Sequence, residues 1–387
     1  MSDQLIRQAK IVSDRRITEG DILIRNGKIE AAGTVTELPK ACEIVEAKGC
    51  YVSSGFIDIH VHGGGGYDFM DCSEEAFCQI SKTHLQNGTT TMIPTAVSAP
   101  FADILKLLDT YQSCEAFCPN FYGIHLEGPY ISKNQKGAHN EQLLHAPTKE
   151  EIELLLTKGK GILKRITAAP EIEGVDLLAR EMCEQGVVMS LGHSDADCKT
   201  ALQAFSDGFS HVTHLYCATP SIRKINQVIT AGVREAAYLN DEVTVELIAD
   251  GKHVAPEALQ LAVKIKGIDQ IALTTDALRP AGTDVKESWL GAKVPENRIV
   301  IEDGVAKLPD RSSFAGSIAT ASMLLEKGVK FYGMSLADTV YMLTQTPAKI
   351  MRLKEKGAVK KGYDADLVFF DRNLQVQKVF LKGKRVR

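Results

Sequence analysis

Apolar and polar positions change rhythm twice along this chain. The first 50 residues alternate with a period of two, as half-buried strands do. The stretch "GDILIRNGKIEAAG" sets Asn26-Gly27 between two such runs. That dipeptide favours a two-residue hairpin turn, because both positions tolerate φ > 0. The last 25 residues repeat the pattern, with two apolar runs around Arg372-Asn373 and a turn at Gly383. A lone hairpin is marginal in water. The two ends are therefore expected to share one small β-domain, residues 1–54 and 355–387.

Between the ends, short apolar runs alternate with helical segments. Eight runs stand out, at 55–63, 89–96, 120–129, 163–171, 186–194, 211–216, 244–251 and 271–277. Ser73 is placed to cap a helix that ends at Asn87-Gly88. Thr148 and Glu151 have capping-box spacing, and Pro256 suits a first helical turn. Eight strands alternating with helices predict an α/β fold, a (β/α)8 TIM-type barrel over 55–354, carrying a small β-sandwich-like domain built from both termini. A doubly wound open sheet is the alternative, disfavoured by the count of eight. Residues 317–346 read as a further helical region. Residues 278–316, with Pro280, Gly282, Pro295 and Pro309, read as a long loop of the kind that usually carries function.

Composition changes this picture little. With 387 residues, 44% of them hydrophobic, the chain can bury a large core. A net charge of −4 with 24% charged residues gives no general attraction to nucleic acid or anionic membrane. A local basic pocket could still take an anionic small molecule. The start "MSDQLIRQAK" lacks a signal-peptide apolar core, and no apolar run approaches the roughly 20 residues that span a bilayer. The nine cysteines include no C-x-x-C pair, and an odd number cannot all pair in one chain. Reduced thiols and a cytoplasmic location are expected, with Cys114 and Cys118 as bystanders near a helix end.

Chemistry gathers where the strands end. His60 and His62 close strand one, Glu127 strand three, His193 strand five, His214 strand six and Asp276 strand eight. Strand alternation puts His60 and His62 on one face, opposite Ile57, Ile59 and Val61. It pairs Thr274 with Asp276, and it turns His211 away from His214, toward packing or the surface. A single buried histidine is more often a hydrogen-bonded core residue than a ligand. Six such residues at five strand ends would be costly to bury together unless something compensates them. A metal cation does so, because imidazole and carboxylate are its natural ligands. Gly63 to Gly66 make neither a dinucleotide fingerprint nor a Walker loop. They read as a turn that lets backbone approach the site. His84, in a helical pattern, and His145, in a polar loop, read as structural or solvated.

Together these motifs resemble the amidohydrolase superfamily. The H-x-H ends strand one, and "IHLEGPY", "LGHS", "THLY", "IADGKH" and "TTDA" follow. "HLEGP" with "KGAHN" soon after is similar to the branch that deacetylates N-acetylglucosamine 6-phosphate. The tail "TPAKIMRLKEKGAVKKGYDADLVFFD" is similar to that branch's return to its β-domain. The resemblance implies hydrolysis to glucosamine 6-phosphate and acetate, with one or two divalent ions, zinc or iron. It assigns His60 and His62, with Asp276 nearby, to one ion, and Glu127, His193 and His214 to the other. Glu127 takes the bridging place that many relatives give to a carboxylated lysine.

A metal lowers the pKa of bound water from about 16 toward about 7. The resemblance makes the resulting hydroxide the nucleophile. Asp276 would accept the water proton and pass it to the leaving amine. His139, beside Ala138 in "KGAHN", would polarise the carbonyl or orient the sugar. Cys217 and Ala218 fall where the family contacts substrate, and Phe314 in "FAGS" where it lines the acetyl pocket. His253 matches the phosphate-binding histidine, with Lys252 as a further cation. Arg223 or Lys224, in "SIRKINQVI", would be the basic residue that one subunit of a homodimer lends to its partner's phosphate.

This chain also departs from the pattern. Cys217-Ala218-Thr219 stands where the family reads asparagine-alanine-methionine, and cysteine is a weak hydrogen-bonding substitute. The family's following arginine motif is absent in its familiar form. The metal chemistry is thus expected intact and the sugar recognition altered. N-acetylgalactosamine 6-phosphate, or another N-acyl or cyclic amide, is the alternative substrate. A non-catalytic sugar-phosphate-binding barrel is the remote alternative, and Asp276 argues against it.

Overall fold

The computed structural model describes residues 3–36, 39 and 41–387. Met1, Ser2, Glu37, Leu38 and Lys40, all within the expected terminal domain, lie outside the described residues. Eight parallel strands form a barrel in sequence order: β1 (Phe56–Val61), β2 (Thr89–Ala96), β3 (Ile124–Glu127), β4 (Leu163–Ala168), β5 (Val188–Leu191), β6 (Phe209–Val212), β7 (Thr244–Ile248) and β8 (Ile271–Thr274). The open sheet is thereby excluded. The seam between β8 and β1 has no regular ladder. Instead, Asp276 N–H donates to His60 O (3.0 Å) and His62 N–H to Ala277 O (2.9 Å). The buried Asp58 carboxylate accepts from Thr274 Oγ1 (2.9 Å) and Thr275 Oγ1 (2.5 Å). The bonds that close the barrel are therefore made by the same residues that line its mouth.

Helices α1 (Glu74–Gln86), α2 (Phe101–Cys114), α3 (Lys149–Lys158), α4 (Val175–Glu184), α5 (Cys198–Ser206), α6 (Val233–Leu239) and α7 (Pro256–Lys266) follow the first seven strands. Their starts are as the sequence requires. Ser73 Oγ accepts from Ala76 N–H at 3.2 Å, and Thr148 and Glu151 form a reciprocal capping box. On α2, Ile104, Leu107, Leu108 and Tyr111 recur at helical spacing and are all buried. Each such side chain contributes roughly 1.5–3 kcal/mol by leaving water. Two helices follow β8, α8 (Ala321–Lys330) and α9 (Leu336–Ile350). The single region expected at 317–346 is interrupted, because Gly333 adopts φ +70° and Ser335 caps a new helix. No helix among the described residues is long and apolar enough to cross a membrane.

Both chain ends build one mixed eight-stranded sheet, with Leu367–Phe370 antiparallel to Tyr51–Ser54. Its longest strand, Asp3–Ser13, pairs with Cys42–Glu46 along its first part and with Tyr51–Ser54 along its second. A register shift between Ile6 and Ala9 separates the two parts, so the sheet forks there. Asn26 (φ +51°) and Gly27 (φ +76°) make the expected hairpin turn.

Residues 278–316 are not structureless. They hold a three-stranded antiparallel sheet (Glu287–Trp289, Arg298–Glu302, Val305–Lys307). Arg279 ties this segment to the loop after β1 through a two-pronged ion pair with Asp71 (2.5 and 2.8 Å). The glycine run packs at that same junction, where a Cβ on Gly63 would lie 2.9 Å from Arg279 N. A Cβ on Gly64 would lie 2.8 Å from His84 Nε2 on α1. His84 is buried, and its Nε2–H donates to Gly63 O (2.9 Å), a structural role. His145 is exposed in its loop, hydrogen-bonded to Leu143 O and Glu151. All nine cysteines are unpaired.

The barrel interior is not wholly apolar. Arg165 on β4 reaches past β5 and β6 to Glu246 on β7, and both are completely buried. His211 lies in this interior as well, with Nδ1 2.7 Å from Thr244 Oγ1 and Nε2 3.4 Å from Glu246. The alternation argument that turned it away from His214 fails because β6 ends at Val212 and the chain bends before His214.

Burial holds His84, His125 and His211 neutral, aided at the latter two by the Arg165 charge, and pushes His211 down to about 4. In the unfolded chain these imidazoles titrate near 6.5. Between those values the unfolded chain binds protons that the folded chain excludes, so stability falls as pH drops from 6.5 toward 4. Urea midpoints are expected to decline across that window. A midpoint unchanged between pH 7 and pH 5 would contradict this assignment.

Candidate active site

The residues expected at the strand ends do converge. His60 lies in β1 and His62 directly after it, and Glu127 is the last residue of β3. His193, His214 and Asp276 each sit two residues beyond β5, β6 and β8. All three adopt left-handed backbone conformations, with φ of +48°, +28° and +48°. Such conformations cost about 1–3 kcal/mol for residues with a Cβ and persist where the surroundings enforce them. Here the bend turns each side chain across the barrel mouth.

Glu127 is the centre of the cluster. Its Oε2 lies 3.4 Å from His60 Nε2 and 3.2 Å from His62 Nε2, with Asp276 Oδ1 3.2 Å from His62 Nε2. Its Oε1 lies 3.2 Å from His193 Nε2 and 2.9 Å from His214 Nε2. The imidazole nitrogens are equally close to one another, 3.1 Å for His60–His62 and 3.1 Å for His193–His214. Two of these rings have a determined tautomer. His60 Nδ1 faces the Glu246 carboxylate (2.8 Å) and His193 Nδ1 faces Gln135 O (2.8 Å). Both partners only accept, so both Nδ1 atoms donate, and Nε2 is the nitrogen that each ring turns to the centre.

The electrostatics say the same. Burial disfavours charge on His62, yet the Asp276 and Glu127 carboxylates outweigh it and raise its pKa to about 9. His60 is raised in the same way. Burial alone would raise Glu127 and Asp276, but the surrounding imidazoles hold both carboxyls low. The cluster thus attracts positive charge. Ring nitrogens and carboxylate oxygens at these distances form two buried donor sets sharing Glu127, His60 with His62 and His139 with His193, and His214 lies as close to Glu127 as any of them, an arrangement consistent with a binuclear metal centre.

His139 differs from these four histidines. Ser98 N–H donates to its Nδ1 at 3.4 Å, and Ser98 Oγ lies at 2.7 Å. Its Nδ1 is therefore an acceptor, and Nε2, 3.5 Å from Glu127 Oε2, carries the proton. Burial pushes its pKa down to about 4, so the ring is neutral and offers an N–H to the cavity. A cavity of about 340 Å³ opens above the cluster. Ala138, Cys217, Ala218, His253 and Phe314 line it. His253 is held by Asp250 (2.8 Å) and lies beside Phe314, with ring centroids 5.0 Å apart. Burial pushes the Cys217 thiol up to about 12, so it stays protonated at neutral pH.

Three residues expected near the substrate do not line this cavity. Arg223 and Lys224 stand on an exposed two-stranded ribbon (Arg223–Ile225, Val228–Thr230), where Arg223 pairs with Asp195 at 3.0 Å. Lys252 is exposed. The sequence reading also missed Glu246, Arg165, Gln135 and Ser98. A signal existed for Glu246, the one charged residue of its strand, but not for Arg165, which stands beside Lys164.

The whole-chain likeness accords with this geometry. A model of the amidohydrolase family matches residues 51–386. The chain belongs to the amidohydrolase family. Among amidohydrolases, it is 30% identical to the N-acetylglucosamine-6-phosphate deacetylase of Lysinibacillus sphaericus, over 99% of this chain and 97% of that one. It is also 30% identical to the N-acetylgalactosamine-6-phosphate deacetylase of Shewanella sp. (strain ANA-3), over 86% and 82%. A mutant N-acetyl-D-glucosamine-6-phosphate deacetylase of Mycobacterium smegmatis, solved in complex with N-acetyl-D-glucosamine-6-phosphate, superposes with a TM-score of 0.91 at 28% identity, covering 100% of both chains.

Because Glu127 faces both donor sets, Glu127→Ala is expected to lose nearly all bound zinc after dialysis. His62→Ala should keep about one ion per chain, held by the His193–His214 side. Elemental analysis of folded protein checks this. Equal zinc in the parent and Glu127→Ala would rule out the shared donor.

Proposed function

We propose that this chain removes the acetyl group from N-acetylglucosamine 6-phosphate, giving glucosamine 6-phosphate and acetate. The convergence of two donor sets, the Asp276 carboxylate and one neutral imidazole N–H on a single cavity carries the reading. Full-length similarity to deacetylases of two N-acetylhexosamine 6-phosphates supports it. N-acetylgalactosamine 6-phosphate is the second reading, favoured by that second relative and by the changed residue at Cys217.

His60, His62 and Asp276 would hold one divalent ion, His193 and His214 the other, and Glu127 both. Bound there, a divalent ion supplies Lewis acidity and lowers the pKa of coordinated water from about 16 toward about 7. The neighbouring imidazoles keep Asp276 ionised, so it can take a proton from the attacking water. It then returns the proton to the nitrogen, which otherwise would leave as an anion. His139 Nε2–H is placed to donate to the acyl oxygen as charge develops on it. Val97, Leu290 and Phe314 give the cavity an apolar wall suited to a methyl group. His253, oriented by Asp250, is the cavity imidazole that would face the phosphate. In this reading Arg223 or Lys224 can reach a phosphate only from a second chain, as in a homodimer.

Acetate release from the two 6-phosphosugars and their unphosphorylated forms tests the substrate. N-acetylglucosamine 6-phosphate should give the highest kcat/KM, and loss of the phosphate should lower it more than tenfold. Faster turnover of the galactosamine isomer would transfer the assignment to it. Asp276→Asn should lower kcat by about 10²–10⁴. A variant as fast as the parent would remove the proton-shuttle role. Cys217→Asn adds a donor and an acceptor to the cavity wall. It should lower KM about 2–10-fold with kcat little changed, the effect of one hydrogen bond made equally to substrate and transition state.

A further inference from the structure

Behind the metal-facing imidazoles lies a charged group that the proposed chemistry does not use. Glu246 sits at the middle of β7, completely buried. Its Oε1 accepts from His60 Nδ1 (2.8 Å) and from the backbone N–H of His214 (3.2 Å). Arg165 grips the same carboxylate with both prongs, at 2.6 and 2.9 Å. The remaining Arg165 donors go to Ser190 Oγ (2.8 Å), Ile59 O (3.1 Å) and Thr213 Oγ1 (2.9 Å). The pair is therefore neutral as a unit and fully hydrogen-bonded.

Such a pair is not explained by stability. A buried ion pair is often no better than apolar residues of similar volume, and barrel interiors are usually filled by branched apolar side chains. Its connections suggest a different task. Among the four imidazoles of the two donor sets, only His60 has a carboxylate behind it. His193 has a backbone carbonyl, and the Nδ1 atoms of His62 and His214 have no partner. Glu246 also holds the backbone of His214, whose left-handed conformation aims the ring of the other donor set. One carboxylate thus touches a member of each set.

We propose that Glu246, neutralised by Arg165, is a positioning residue of the metal centre. It holds His60 in the tautomer that turns Nε2 to the ion, and it anchors the turn that presents His214. The inference rests on the reading of the cluster as a divalent-metal centre. Zinc affinity, measured by competition with a chromophoric chelator, tests it without recourse to activity.

Glu246→Gln should weaken at least one zinc by about 10–100-fold, the usual effect of losing such a partner. In a His60→Ala background the same change keeps only the part that acts through the His214 backbone, so its effect should be several-fold smaller than in the parent. Glu246→Gln leaves the Arg165 charge unpaired and can impair folding. The double variant Arg165→Met/Glu246→Gln removes both charges, and circular dichroism establishes that it folds. It should show the same weakening. Parent-like zinc affinity in a folded double variant would overturn the proposal, as would equal weakening with and without His60. A parent chain that binds no zinc would instead overturn the metal reading on which the proposal stands.

Discussion

Hydrogen-bond acceptors crowded together without donors repel one another, and the mouth of this barrel is built around such a crowd. Four imidazole Nε2 atoms and the oxygens of Glu127 and Asp276 approach within about 3.5 Å across a buried space. Outward bonds from His60 and His193 fix their Nδ1 protons, so Nε2 is the nitrogen that each ring turns inward. Only a cation turns that arrangement from a cost into a gain. The left-handed turns at His193, His214 and Asp276 add strain that the barrel must hold in place.

The barrel can do so because its stability comes mostly from elsewhere. The main apolar core includes the buried faces of the outer helices, such as Leu107 and Leu108 on α2 and Leu178 on α4. The interior beneath the site is then free to be polar. Arg165, Glu246, His125, His211 and the threonines around them form a connected network linking β1 and β3 through β7. Its members are satisfied in pairs, which limits the desolvation cost. Even the seam between β8 and β1 depends on this region, since the backbone atoms of His60, His62 and Asp276 make its closing bonds.

The cavity above the metal cluster has a different origin. Its walls come from loops, the 134–139 segment, the turn at Cys217 and the 313–316 strip. Those loops are braced by a few polar contacts, such as Arg279 to Asp71 and Arg234 to the carbonyls of Tyr216 and Thr219. A loop residue such as Cys217 can change without disturbing a strand, which is how related enzymes can share one reaction centre and differ in sugar. The strand-end donor cluster and the loop residues that wall the cavity therefore belong to different parts of the molecule.

Periodicity alone was enough to read the eight strands, the capped helices and the joining of both chain ends in one sheet, because each is a local pattern or a pairing demanded by exposed edges. Placing His60, His62, Glu127, His193, His214 and Asp276 at strand ends needed nothing beyond counting strands in a barrel. The resemblance to amidohydrolases supplied their division between two ions. Facing directions beyond the strands were not legible. His214 and Asp276 escape a period-two rule because β6 and β8 stop at Val212 and Thr274, and each then turns through a left-handed backbone conformation. Nor could sequence pair Arg165 with Glu246, or His139 with Ser98. Those contacts cross the barrel or join separate loops, and only closure of the whole ring brings them within hydrogen-bond distance.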